Sequence, residues 1–185
     1  MKLKAVKWTL VILFMAPCMQ AQSVWNTTHL ANVKRSIREP FYATAYEALK
    51  KEADKLSDVQ PLSVMMKEKT PASGDRNRLG TTVSRITTLA LAWYFSEEEK
   101  YARKATELIR VWFLDKDTRM NPNLEYAQMI PGHNNNKGRC YGLIDTYSFI
   151  EMLDAVALLE QSQAFTAKDS KQLKKWFAEL TDWML

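Results

Sequence analysis

Between Leu79 and Trp112 two apolar stripes of helical period meet with almost nothing between them, and that junction limits the fold more than any other feature. Leu79, Val83, Ile86, Ala90 and Trp93 recur at spacings of three and four, the signature of one buried helix face. The stripe ends at Ser96. Tyr101, Ala105, Leu108 and Trp112 form a second stripe, with Ser96 and Glu99 spaced as a capping box at its start. Helices joined so tightly must turn back on each other as an antiparallel pair.

The same periodicity predicts further helices. One begins near Pro40, a residue suited to a first helical turn, and carries Tyr42, Ala45, Leu49, Ala53 and Leu56. Pro61, Pro71 and Ser73-Gly74-Asp75 then break the pattern as turn signals. Phe149, Met152, Leu153, Val156 and Leu159 mark another helix, and Ile150 and Leu158 widen its apolar face toward an inner, well-buried position. Thr166 and Asp169 make a capping-box start for a last stripe of Leu173, Trp176, Leu180 and Trp183. That stripe still runs at Leu185, with no glycine cap or proline stop, so the expectation is a chain cut within a longer helical array. No strand-period run of convincing length occurs. The fold class is all-α, built of antiparallel helical hairpins. Such hairpins close into an (α/α) toroid or stack as a tetratricopeptide-type repeat. A repeat array needs a period of ~34 residues, and the long connection at 115–142 interrupts it, which ranks the toroid first.

Residues 1–21 have the parts of a secretory signal peptide: a basic start at Lys2, Lys4 and Lys7, an apolar run from Trp8 to Met15, and Ala21 before Gln22. The run is shorter than the ~20 residues that span a bilayer. Export across the inner membrane, with a periplasmic destination, is the expectation, and residues 22–185 form one domain. Cys18 raises lipid attachment as an alternative, which Pro17 disfavours. The 26 Lys+Arg and 21 Asp+Glu give +5, and loss of the three signal lysines leaves +2. No nucleic-acid footprint remains, and no later segment is long and apolar enough for stable membrane insertion. Cys140 alone survives cleavage, which excludes an intrachain disulfide and a cysteine-based zinc cluster.

Residues 121–142, NPNLEYAQMIPGHNNNKGRCYG, separate two apolar stripes with side chains that hydrogen-bond well and pack poorly. So long a connection is usually functional or disordered. Each residue has a plain explanation: His133 as a surface group, Asn134-Asn135-Asn136 as turn chemistry, Arg139 as a surface cation, Tyr126, Tyr141 and Tyr147 as boundary packing. Together they fit a sugar-acid site, which wants amides for hydroxyls, a guanidinium for a carboxylate and aromatic faces for rings. A ligand site and a structural loop both remain open on the chemistry alone. His29 is too distant in sequence to join His133 in a metal site.

Six ordered stretches carry a resemblance: T-P-x-S-G-D at 70–75, A-W-Y-F at 92–95, W-F-L-D at 112–115, T-R-M-N-P-N at 118–123, Y-x-Q at 126–128 and P-G-x-N-x-x-K-G-R at 131–139. Over roughly residues 40–185 the chain resembles the alginate lyase superfamily domain, secreted bacterial enzymes on an α/α toroid. The resemblance implies a polysaccharide lyase that cleaves uronate-containing polymers by β-elimination. In that reaction polar groups neutralise the C5 carboxylate, a tyrosine or histidine takes the C5 proton, and a tyrosine can protonate the departing O4. It also implies a substrate-cleft role for Gln128, His133, Asn134, Asn135, Arg139 and Tyr141, leaving the catalytic residues unassigned.

Two departures accompany it. Asp75 runs directly into Arg76-Asn77-Arg78, where the family carries a His-Asp-Tyr segment and an aromatic, proline-rich loop. The family's Asn-Asn-His-Gly motif would fall beyond Leu185, and the triple asparagine at 134–136 is not its equivalent. The expectation is a truncated, internally shortened form with little or no activity. The alternative is a non-catalytic periplasmic glycan-binding or helical interaction protein. Neither needs an organic cofactor or a metal, and the expected partner is an acidic, uronate-containing polysaccharide or oligosaccharide.

Overall fold

The computed structural model describes residues 23–65, 69 and 74–185. The signal-peptide reading, and residues 70–73 of the T-P-x-S-G-D stretch, lie outside the described residues. Those described are helical and irregular, without a strand. In chain order the α-helices are α1 (Thr27–Arg35), α2 (Pro40–Leu56), α3 (Asp75–Ser96), α4 (Glu99–Ile109), α5 (Phe149–Leu159) and α6 (Ala167–Met184).

The expected hairpin is α3 against α4, and α3 is the hub, packed also on α2 and α5. Leu79, Val83, Ile86 and Ala90 of α3 face Tyr101, Ala105, Leu108 and Trp112 in one continuous core, all of them buried. The capping box at the junction does not form. A turn this tight needs a left-handed residue, and Glu97 supplies it at φ 61°, closing α3 with its N–H on Trp93 O. The cap position of α4 thereby moves on to Glu98. Ser96 Oγ turns back to donate to Ala92 O and accepts from the Glu98 N–H, while Glu99 accepts from the Trp93 indole at 3.0 Å.

Helix α4 continues into a single π-helical turn, Arg110–Leu114, closed by the Asp115 N–H donating to Arg110 O at 2.8 Å. The wider turn rolls Phe113 into an aromatic cluster with Phe149 of α5 and Trp176 and Phe177 of α6, ring centroids 4.9 to 6.2 Å apart. Met120 fastens the start of the long loop beneath this cluster. Its N–H donates to Trp112 O at 2.7 Å, and its own carbonyl accepts from Trp176 Nε1 at 2.8 Å. At the head of α6 the capping box between Thr166 and Asp169 forms as expected.

Three features differ from the sequence reading. Helix α1 was not expected. It is capped by Asn26 Oδ1, which accepts from the His29 N–H, and is tied down by Lys34, which pairs with Glu97 at 2.9 Å and lies over the Tyr94 ring. Trp25 just before it donates its N–H to the buried carboxylate of Asp154 on α5 at 2.8 Å. Helix α2 buries only Ala53 of its stripe, and Ala45 is exposed. Helix α5 is buried along Met152, Ala155 and Leu159, but Ile150 and Leu153 are 46 % and 47 % exposed, because α3 covers one side of the wide face only.

Candidate functional site

The long loop is built, not slack. Residues 125–127 and 138–139 are tied into a short ribbon by their main chains, with the Gly138 N–H donating to Glu125 O at 2.6 Å and the Arg139 N–H to Ala127 O at 3.1 Å. Only glycine fits at 138, since a Cβ there would lie 2.6 Å from Ala127 O. Gly142 admits the next segment, a 3-10 turn at Cys140–Thr146, against the Cβ of Ala127. Lys137 and Glu125 brace the ribbon at 3.0 Å, a contact that holds the lysine's pKa above its ordinary value.

At the tip, Asn134, Asn135 and Asn136 all take left-handed conformations, with φ of 46°, 53° and 58°. Left-handed geometry is costly for ordinary L residues and least so for asparagine and aspartate, whose short polar side chains bond locally. Two of the three do so: Asn136 Oδ1 accepts from the Gly132 N–H at 2.7 Å, and Asn134 Nδ2 donates to Gly138 O at 3.0 Å. Asn135 makes no such bond among the described residues. The turn-forming reading of the asparagines therefore describes Asn134 and Asn136, whose side chains hold the tip together.

Of the six residues singled out in the sequence, the structure brings Gln128, Arg139 and Tyr141 together. Arg139 Nε donates to the main-chain oxygen of Gln128 at 2.7 Å, and its guanidinium lies 6.0 Å from the Tyr141 ring centroid. Its two terminal nitrogens have no partner among the described residues, and the Tyr141 ring is 65 % exposed. Those nitrogens form a planar fork of donors suited to a carboxylate. His133, Asn134 and Asn135 are exposed residues of the loop tip.

Three residues near this cluster escaped the sequence reading. Asp145 is buried and accepts from Gln128 Nε2 at 2.7 Å; Arg76, in the first turn of α3, approaches the same carboxylate at 3.4 Å. A lone carboxylate inside the apolar run Leu143-Ile144-Asp145 was a signal for the first. The second sat at a junction read only as a boundary. Trp183 is the third. Together with Arg139 it lines a depression of about 250 Å³, also lined by Leu124, Cys140, Gly142 and Leu143. An indole and a guanidinium in one depression suit a charged sugar ring. A larger groove of about 530 Å³ lies elsewhere, between α2 and α3, where Thr81, Ser84 and Thr88 offer hydroxyls but no aromatic face. Among the described residues no group of three or more His, Cys, Asp or Glu is placed to hold a metal ion, and no helix is long and apolar enough to cross a membrane.

Comparison with known proteins finds a matching family and similar folds among solved structures. The family described as alginate lyase matches residues 23–185. A solved structure of an alginate lyase from Bacteroides ovatus superimposes with a TM-score of 0.83 at 39 % identity, covering 86 % of this chain and 52 % of that one. The present chain thus spans about half the length of that protein, and its helices are part of an α/α toroid. Comparison with curated proteins returned no match.

Proposed function

The chain belongs to the alginate lyase family, and on that premise we propose that it acts in the β-elimination of uronate-containing polysaccharide, with the 121–142 loop as the wall that binds a uronate carboxylate. The observation that carries this reading is Arg139. Its Nε is anchored on Gln128 O, its terminal nitrogens face no protein acceptor among the described residues, and exposed aromatic rings flank it.

The chemistry asks for such a group. A C5 proton beside a free carboxylate is hard to remove, because the electrons left behind delocalise onto oxygens that are already charged. A bidentate guanidinium neutralises that charge and favours the enolate over the ground state. The C5–H electrons then form the C4=C5 bond, the C4–O4 bond breaks, and O4 leaves with a proton. A phenol or imidazole serves both proton transfers. Tyr141 is the exposed phenol beside Arg139, and Trp183 lines the same depression. Residues 1–21 support an exported location, where such polymers are met.

The test is binding of an alginate tetrasaccharide by calorimetry, alongside ultraviolet detection of unsaturated products from the polymer. Saturable binding is expected, and Arg139→Ala should weaken it by about tenfold or more, since a hydrogen bond to a charged group contributes ~1.5–3 kcal/mol. Absence of binding, or binding indifferent to Arg139, would sink the proposal. Unsaturated products would show elimination by these 185 residues, whereas binding without them would favour the glycan-binding alternative.

A further inference from the structure

We propose that Asp145 is a positioning residue for this site, holding Gln128 and, through the Gln128 main chain, the guanidinium of Arg139; the inference rests on the uronate-binding role given to Arg139 above.

A carboxylate as buried as Asp145, only 9 % exposed, is costly unless it is hydrogen-bonded and paired. It is both. Oδ1 accepts from Gln128 Nε2 at 2.7 Å, across 17 residues of chain, and Arg76 Nε stands 3.4 Å away. The bond to Gln128 secures a residue that would not otherwise hold its shape. Gln128 has φ 57°, a left-handed conformation with no glycine or asparagine to ease it. A long, flexible glutamine keeps that conformation because its amide is fastened at the far end.

The main-chain carbonyl of Gln128 is what Arg139 Nε donates to, at 2.7 Å. If the side chain were released, φ would relax to the negative side, the carbonyl would rotate, and the Arg139 guanidinium would lose the one anchor it has among the described residues. The register of the relay is fixed independently. Gly142 packs on Ala127, and the Arg139 N–H donates to Ala127 O, so the two segments cannot slide past each other. Arg76 has a second effect. It neutralises Asp145, so that a carboxylate this close to the site does not oppose the incoming uronate.

A guanidinium free to change rotamer must be ordered by its ligand, which costs ~0.5–1.5 kcal/mol, or about two- to tenfold in affinity. The test reads Arg139 directly and does not depend on a ligand. In the ¹⁵N-labelled 185-residue chain, the Arg139 Nε–H signal is expected to exchange slowly with water. Asp145→Ala should speed that exchange by about tenfold or more, and Gln128→Met, which removes the donor at the other end, should do the same. Should Asp145→Ala not fold, Gln128→Met reads the same link. Unchanged exchange in the folded variant overturns the inference.

Affinity for the alginate tetrasaccharide supplies the second arm. Asp145→Ala should weaken binding about fivefold, and should weaken it no further when Arg139 is already alanine. An equal loss in the Arg139→Ala background would mean that Asp145 acts on the fold generally, which also overturns the inference. If exchange responds as expected but the unaltered chain binds no oligouronate, the relay stands and the proposed function fails.

Discussion

The three asparagines at the loop tip show how three copies of one side chain do different work. Asn134 and Asn136 hold the tip through Gly138 O and the Gly132 N–H, whereas Asn135 carries the left-handed strain with no side-chain bond among the described residues to offset it. Asn135→Gly should therefore stabilise the protein, by up to ~1 kcal/mol, while Asn136→Ala should cost ~1 kcal/mol through its lost hydrogen bond. Chemical denaturation of the two variants checks this, and a destabilised Asn135→Gly would show that its side chain makes contacts in solution. If Asn135 also touches sugar, affinity will fall in the more stable variant. Composition revealed the cluster of polar and aromatic groups but not which of them are occupied. Whether an asparagine faces a ligand or its own backbone is decided by φ and by partners four residues away. Gln128 was the least legible, because nothing local marks a glutamine as left-handed. Its fastening to Asp145 is a contact between distant segments.

Among the helices, local signals were legible and long-range ones were not. Thr166 and Asp169 sit three apart, so their capping box could be read from spacing, and it forms. The same spacing at Ser96 and Glu99 misled, because the tight turn placed Glu97 between the helices in a left-handed conformation. Helix α1 offers only Leu30 and Val33 as an apolar stripe, and its anchors, Glu97 and Tyr94, are distant in sequence. Equally hidden was the partner of Asp169, since Arg110 lies 59 residues earlier and grips the carboxylate with two nitrogens at 2.9 and 2.8 Å. Burial pushes the Asp169 pKa up, but hydrogen bonds from Arg110 and Thr166 outweigh it and bring it to about 2, from an ordinary 3.8. A depressed folded pKa stabilises the protein above the unfolded value, and the contribution disappears as pH falls through the folded one. Arg110→Met should thus cost ~1–2 kcal/mol near neutrality, allowing for the guanidinium's partial exposure. The gap in melting temperature between variant and parent should be widest near neutrality and narrow progressively below about pH 5 toward pH 2. A gap of the same size at every pH would mean that Arg110 contributes packing and not charge.

Periodicity identifies an apolar helix face, but it does not say what covers that face, and here the molecule as a whole departs most from its sequence. The face of α5 is split. Met152, Ala155 and Leu159 enter the core under α3, while Ile150 and Leu153 are exposed, as are Leu143, Ile144 and Tyr147 just before them in the chain. Leu153 opens onto a groove of about 390 Å³ between α5 and α6, also lined by Val156, Ala157, Leu173 and Phe177. Contiguous exposed apolar surface of this kind attracts partners, apolar dyes and other copies of the chain. The double substitution Ile150→Lys with Leu153→Lys should leave stability within about 0.5 kcal/mol, as surface changes usually do. It should also lower the fluorescence of a bound hydrophobic dye and raise the concentration at which the protein stays monomeric in light scattering. The core-facing neighbour gives the contrast: Met152→Lys would bury an unpaired ammonium and should prevent folding. If the double lysine variant instead loses more than ~2 kcal/mol, Ile150 and Leu153 are covered in solution. The dependence of that loss on protein concentration would then separate coverage by a second copy from coverage within the chain.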